Sequence, residues 1–254
     1  MSEGTGMFAV GQPADVLTWR DLLSSTWRLF HLSFRITFRR KIFFMTVGVV
    51  AYYVLLYVLS VYQPGEGLNA QAALFVLVEL PGVVLGIYLA MDLVAKERDR
   101  QTLETLFSTA SSHYLIWIVR LLAVYAVLIV ALLAMSTISY FFFAEFPFIL
   151  GGLNAFLPAF LFANVTFFFS AYARGANTAG MLGVGVLLFV LMTSELFEGT
   201  SYYIFMNPFE MPTSGAEFLW FERVLLNRLG VFAAGALLLF LALRRMELRE
   251  KFLG

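Results

Sequence analysis

Six long apolar runs, at residues 42–62, 72–94, 114–143, 148–173, 176–197 and 224–243, constrain this chain more than anything else in it. Each has the roughly 20 residues that a helix rising about 1.5 Å per residue needs to cross about 30 Å of hydrocarbon. They are continuous and lack the period-2 alternation of a membrane barrel, so they are expected to be helices. The fold class is therefore all-α, a polytopic membrane protein with six transmembrane helices. Composition agrees: 61% of residues are hydrophobic and 13% charged, with 28 Phe and 11 Tyr, whereas a soluble domain is about a quarter charged. This excludes an ordinary soluble globular protein and a disordered chain, and leaves little room for a soluble catalytic domain. Cys is absent, which excludes a disulfide scaffold and thiolate metal sites. The third run is over-long, so that helix tilts or emerges at one surface. Pro147 and Gly151-Gly152 separate it from the fourth.

Basic residues orient the bundle. Residues 1–41 carry Arg20, Arg28, Arg35, Arg39, Arg40 and Lys41; the second connection carries Lys96, Arg98 and Arg100; the fourth carries Arg174. The tail, 244–254, carries Arg244, Arg245, Arg249 and Lys251, while the intervening connections hold only Arg223. Both termini are expected in the cytoplasm, in a multi-pass arrangement of the cell membrane, a bacterial inner membrane. The first apolar run begins too late for a cleavable leader, so that span is expected to be retained.

The cytoplasmic segment 1–41 contains an amphipathic pattern over 16–38. Val16, Trp19, Leu23, Trp27, Phe30, Phe34 and Phe38 recur at steps of three and four, flanked by Arg28, Arg35 and Arg39. Two Trp among several Arg suit an interfacial helix in the headgroup layer; packing on a soluble partner is the other reading. The same logic makes residues 95–113 a short helix between the second and third spans. Leu103, Leu106 and Phe107 form an apolar ridge, with Glu97, Arg98, Asp99, Arg100 and Glu104 around it. Such a ridge fits a groove on a cytosolic partner; a solvated loop is the alternative.

At these residues the chain resembles the permease subunits of type-2 ABC exporters. Their connection commonly reads E-x-x-x-G-T-L-E-x-L-L-x-x-P with a later basic position in the third span. Here Glu97 takes the first position, Thr102, Leu103 and Glu104 the T-L-E core, Leu106 and Phe107 the apolar pair, and Arg120 the later basic one. Gln101 replaces the usual Gly and Ala110 the usual Pro. The resemblance implies that 95–113, with Arg98 and Arg100 beside the motif, is the coupling helix that docks on a cytosolic ABC ATPase. It further implies a dimer, with a second permease copy or a homologous permease, and re-entrant helices in the outer connection.

That connection, about 198–222, is apolar for a loop, and Pro208 and Pro212 prevent one continuous helix. Two short helices dipping into the outer interface are expected; a plain interfacial loop is the alternative. Within the spans, Glu79 lies two residues before Pro81 and must face protein or water, or be protonated. It is either a gate or cation-sensitive group, or an internally hydrogen-bonded residue at a proline kink. Asp92 and Arg120 are expected to pair at the cytoplasmic ends of adjacent spans. Arg228 either joins an outer charge network with Glu195, Glu198, Glu222 and Arg223 or snorkels outward. Gly82, Gly86 and Ala90, with Gly180, Gly183 and Gly185, serve either a dimer contact or internal packing.

Motifs for chemistry are missing. The sequence has no GxxxxGK[ST] loop and no HExxH, and its two His suit surface positions better than a metal site. No cofactor is expected on this chain; ATP and Mg belong to the partner ATPase. With 17 basic against 17 acidic residues, charge suggests no nucleic-acid partner; membrane lipids are the expected surroundings. The leading expectation is a transporter subunit, not an enzyme, forming the substrate pathway of an exporter. The alternative is an integral membrane assembly or anchoring factor without an ATPase.

Overall fold

The computed structural model describes residues 19–62, 70–94, 113–173, 175–197, 200–209 and 217–247; for 19–40, 70–71, 113–116, 217–219 and 247 it describes the backbone alone. Among the described residues the chain is helical, with no strand. The six helices are α1 (Trp19–Tyr62), α2 (Ala70–Leu74, Phe75–Glu79 and Leu80–Ala90 in sequence), α3 (His113–Phe142), α4 (Phe148–Tyr172), α5 (Ala176–Phe197) and α6 (Glu217–Glu247). Each contains a stretch long and apolar enough to cross a membrane.

The apolar runs set the helices, but their ends differ from the sequence reading. The amphipathic segment and the first span form one unbroken α1 of 44 residues, about 66 Å of helix, twice a hydrocarbon core. Nothing in its sequence breaks a helix, since the only Pro residues near it, Pro13 and Pro64, lie outside it. At the other end of the chain, residues 217–222, expected in the outer connection, already belong to α6. Residues 200–209 make successive turns rather than a short helix. Nearly all of the expected coupling helix, residues 95–112, lies outside the described residues, as do 248–254 of the tail.

α4 is the centre of the bundle and packs against α2, α3, α5 and α6, whereas α1 rests chiefly on α3 and more lightly on α2. Its core partners are small where helices must approach closely. A Cβ on Gly86 of α2 would stand 2.8 Å from the Ala159 carbonyl oxygen of α4. Gly183 of α5 is likewise closed off by Thr166 and Ile87. Both glycines, with Gly82 against Leu132 and Gly180 against Met91, therefore pack inside the chain. The two ends of the bundle differ: Lys41, Asp92, Tyr172 and Arg245 mark a basic end, and residues 200–209 cap the opposite one.

Candidate functional site

The polar centre of the bundle starts from one proline. Pro81 has no N–H to give to the carbonyl of Leu77 four residues back or of Val76 five back. The helix responds with a π-helical turn at Phe75–Glu79, in which the Leu80 N–H reaches the Phe75 carbonyl. The released carbonyls are met from α1. The Tyr52 hydroxyl donates to Val76 at 2.7 Å, and the Tyr53 hydroxyl stands 2.7 Å from the Leu77 carbonyl and 2.9 Å from Ser139. Unmatched backbone groups within hydrocarbon are costly, which is why two tyrosines face this turn.

The wide turn carries Glu79 inward, where it is 1% exposed. Its Oε1 accepts a 2.8 Å hydrogen bond from the Asn154 amide of α4. The guanidinium of Arg228, on α6, supplies the nearby positive charge acting on the carboxylate. Glu79 also lines a cavity of about 180 Å³ with Phe75, Tyr203, Phe205 and Asn207. A buried carboxyl group is thus met by an amide from α4, with the Arg228 guanidinium of α6 nearby, as an ionisable group in a membrane interior must find its partners within the protein.

Arg228 turns inward rather than snorkelling. Its two terminal nitrogens donate to the carbonyls of Ile204, at 3.2 Å, and Met206. The neighbouring Asn227 amide donates to Ser201 at 2.8 Å and Tyr203 at 2.9 Å. Two adjacent α6 side chains therefore hold four carbonyls of one capping segment. From that segment Phe205 inserts between Phe75, 5.2 Å away edge-on, and Phe162, stacked at 6.5 Å. Glu195, Glu222 and Arg223 of the expected outer network are exposed; Glu198 lies outside the described residues.

The basic end has its own junction. Lys41 is 8% exposed and donates to the carbonyls of Tyr88 at 3.0 Å and Leu89 at 3.3 Å, so it caps α2. The same ammonium pairs with Asp92 at 3.1 Å. From α4, the Ser170 hydroxyl donates to the Met91 carbonyl at 3.2 Å and accepts from the Val94 N–H at 3.3 Å. The residues leading into 95–112 are thus tied to α1 and α4.

The sequence-derived candidates divide accordingly. Glu79 is hydrogen bonded beside Pro81, and Asp92 has Lys41 as an ion-pair partner. Arg120 lies over the Trp117 ring at 5.4 Å. Trp19, Trp27, Phe30, Arg28 and Arg35 lie on the helical backbone of α1, whereas Glu97, Arg98, Arg100, Thr102, Leu103, Glu104, Leu106 and Phe107 lie outside the described residues. Sequence reasoning missed Lys41, Asn154, Ser170 and Asn227, each a polar group within or bordering an apolar run. The signal was an Asn, Ser or Lys at such a position, which must find a partner inside the protein. No family model, curated protein or solved structure gives a significant match to the chain.

Proposed function

We propose that this chain is the transmembrane permease subunit of an ATP-driven transporter, forming a substrate pathway and working with a separate cytosolic ABC ATPase. The observation that carries the reading is the fastening of Met91–Val94 by Lys41, through Asp92, and by Ser170. A force applied to the adjoining 95–113 segment acts on α1, α2 and α4 together, and α2 leads from there to the π turn and Glu79. The resemblance of residues 97–107 to type-2 exporter permeases supplies the direction, export, and the identity of the motor. ATP and Mg would be held by the ATPase, and the permease would convert its ligand-dependent free energy into a population shift between states. A second permease, identical or similar, completes the pathway in this reading.

Purification from native membranes with variants at the docking ridge tests it. An ATPase should co-purify with the wild-type chain. Phe107→Ala should weaken that association by about 1–3 kcal/mol, the range for a buried anchor. Glu97→Ala should keep assembly but lower transport-linked hydrolysis. Normal assembly and normal coupled activity in both variants would reject the permease reading and favour an anchoring or assembly factor.

A further inference from the structure

The Glu79 carboxyl has one oxygen that no protein group meets. The Asn154 amide donates to Oε1. Oε2 has no hydrogen-bond partner among the described residues, yet it is not fully enclosed, although the side chain as a whole is only 1% exposed. The surface it keeps opens on the cavity of about 180 Å³ that Glu79 lines. Ala72, the first residue of that candidate span, lines the same cavity. It stands seven positions before Glu79, about 10 Å along the helix. Ala72, Phe75, Tyr203 and Asn207 on the wall are all partly exposed. The cavity therefore runs from the capped end of the bundle to the carboxyl. It has room for more than one water, and Glu79, Tyr203 and Asn207 give its wall polar groups. An acceptor oxygen without a donor, at the inner end of such a path, is a place to take up a proton.

The charge on Glu79 also bears on the cap. Arg228 is the charged group that acts on the carboxyl, and its terminal nitrogens hold the Ile204 and Met206 carbonyls. An ionised Glu79 draws this guanidinium inward, whereas a neutral one leaves a partly buried cation without its counter-charge and free to turn toward water. Titratable groups on the other packed elements are engaged elsewhere. Tyr52 and Tyr53 of α1 meet the Val76 and Leu77 carbonyls, and Tyr125 of α3 donates to Asn164. Tyr140 of α3 packs on Phe141 and Phe148. Arg120 of α3 lies over Trp117, and Tyr172 of α4 lies under Arg245. Glu195 of α5 is exposed.

We propose that Glu79 is a proton-binding site loaded through this cavity from the capped end, and that proton uptake loosens residues 200–209 by removing the charge that draws Arg228 inward. Tyr203, Phe205 and Asn207 of that segment form one wall of the cavity, so loosening it also widens the route to the carboxyl. The segment is held firmly with Glu79 ionised and is released as the pH falls through its titration. The site does not depend on the permease reading, since it needs neither the 95–113 segment nor an ATPase.

Infrared difference spectroscopy of the detergent-purified full chain, titrated in pH, tests the site. One protonated-carboxyl band should grow in as the pH falls. It should vanish in Glu79→Gln and persist, shifted, in Glu79→Asp, so either variant assigns it. Ala72→Trp narrows the far end of the cavity and should slow deuteration of that carboxyl about tenfold. At a fixed pH where the wild-type band is absent, Glu79→Gln stands in for the protonated form. Amide exchange across 200–209 should then run about tenfold faster than in wild type, with exchange in α4 unchanged. A wild-type spectrum without a titrating band that these variants move overturns the proton site. Wild-type deuteration in Ala72→Trp overturns the route. Wild-type exchange across 200–209 in Glu79→Gln, or an equal rise in α4, overturns the link to the cap.

Discussion

Glu79 and Asn154 show how one polar pair is sustained in an apolar bundle. The carboxyl-bearing side chain is 1% exposed, so its stabilisation depends chiefly on what surrounds it. Removing one partner leaves a buried group unmet, which costs about 1–3 kcal/mol and more when that group is charged; replacing both partners by apolar groups of similar shape can be nearly neutral. Asn154→Leu is therefore expected to lower stability by at least about 1–3 kcal/mol. Adding Glu79→Leu to it should recover part of that loss, even though a second polar group has been removed. Thermal unfolding of the two single variants and the double variant, in one detergent, checks the sign of the interaction. A double variant less stable than Asn154→Leu would mean that the carboxylate draws its main support from Arg228 or from the adjoining cavity instead.

Within α2, the π turn is a consequence of Pro81 and the tyrosines of α1 are its complement. Tyr52 and Tyr53 reach the carbonyls of Val76 and Leu77, the two that the proline leaves without their regular donors. Restoring the N–H should weaken that dependence. Tyr53→Phe is expected to destabilise the wild-type helix pair, and to cost less when Pro81→Ala is already present. The coupling in this double-mutant cycle should fall near 0.6 kcal/mol and below about 1.7 kcal/mol, as for other hydrogen bonds between membrane helices. Equal costs in both backgrounds would show that the tyrosine hydroxyl acts chiefly on Ser139 and Met135 of α3, which it also reaches. Much of this element was legible in the sequence: the apolar run gave its position, and Glu79 beside Pro81 marked an irregular place. The π turn itself was not legible, because hydropathy averages over the one-residue change that redirects a side chain. The tyrosines escaped notice for a related reason, since Tyr in a span reads equally well as an interface anchor.

For the whole molecule, the order and number of the spans followed from the apolar runs, while the connections between helices did not. Long apolar stretches force a helix regardless of neighbours; pairings such as Lys41 with Asp92 depend on which helices adjoin. Asp92 was matched in sequence with Arg120 because both close the ends of consecutive spans; Lys41, which the sequence did not single out, reaches Asp92 from α1 while also capping α2. That arrangement makes Lys41 a positioning residue in the proposed transporter. Its removal should loosen the link between the 95–113 segment and the bundle while leaving the docking ridge itself untouched. Lys41→Met keeps the length of the side chain and loses its charge and donors. It is expected to retain ATPase co-purification and insertion, but to reduce transport per ATP hydrolysed by roughly 2- to 30-fold, the span corresponding to couplings of about 0.5–2 kcal/mol. Lys41→Arg, which keeps the charge and can still donate to Asp92 and the α2 carbonyls, should restore much of the ratio. Measuring association, hydrolysis and transport side by side in reconstituted membranes separates coupling from folding. If Lys41→Met loses ATPase association and insertion together, the lysine acts only in assembly of the helices. If the variant transports with the wild-type ratio, force from the segment reaches the bundle by a route other than the α1–α2 junction.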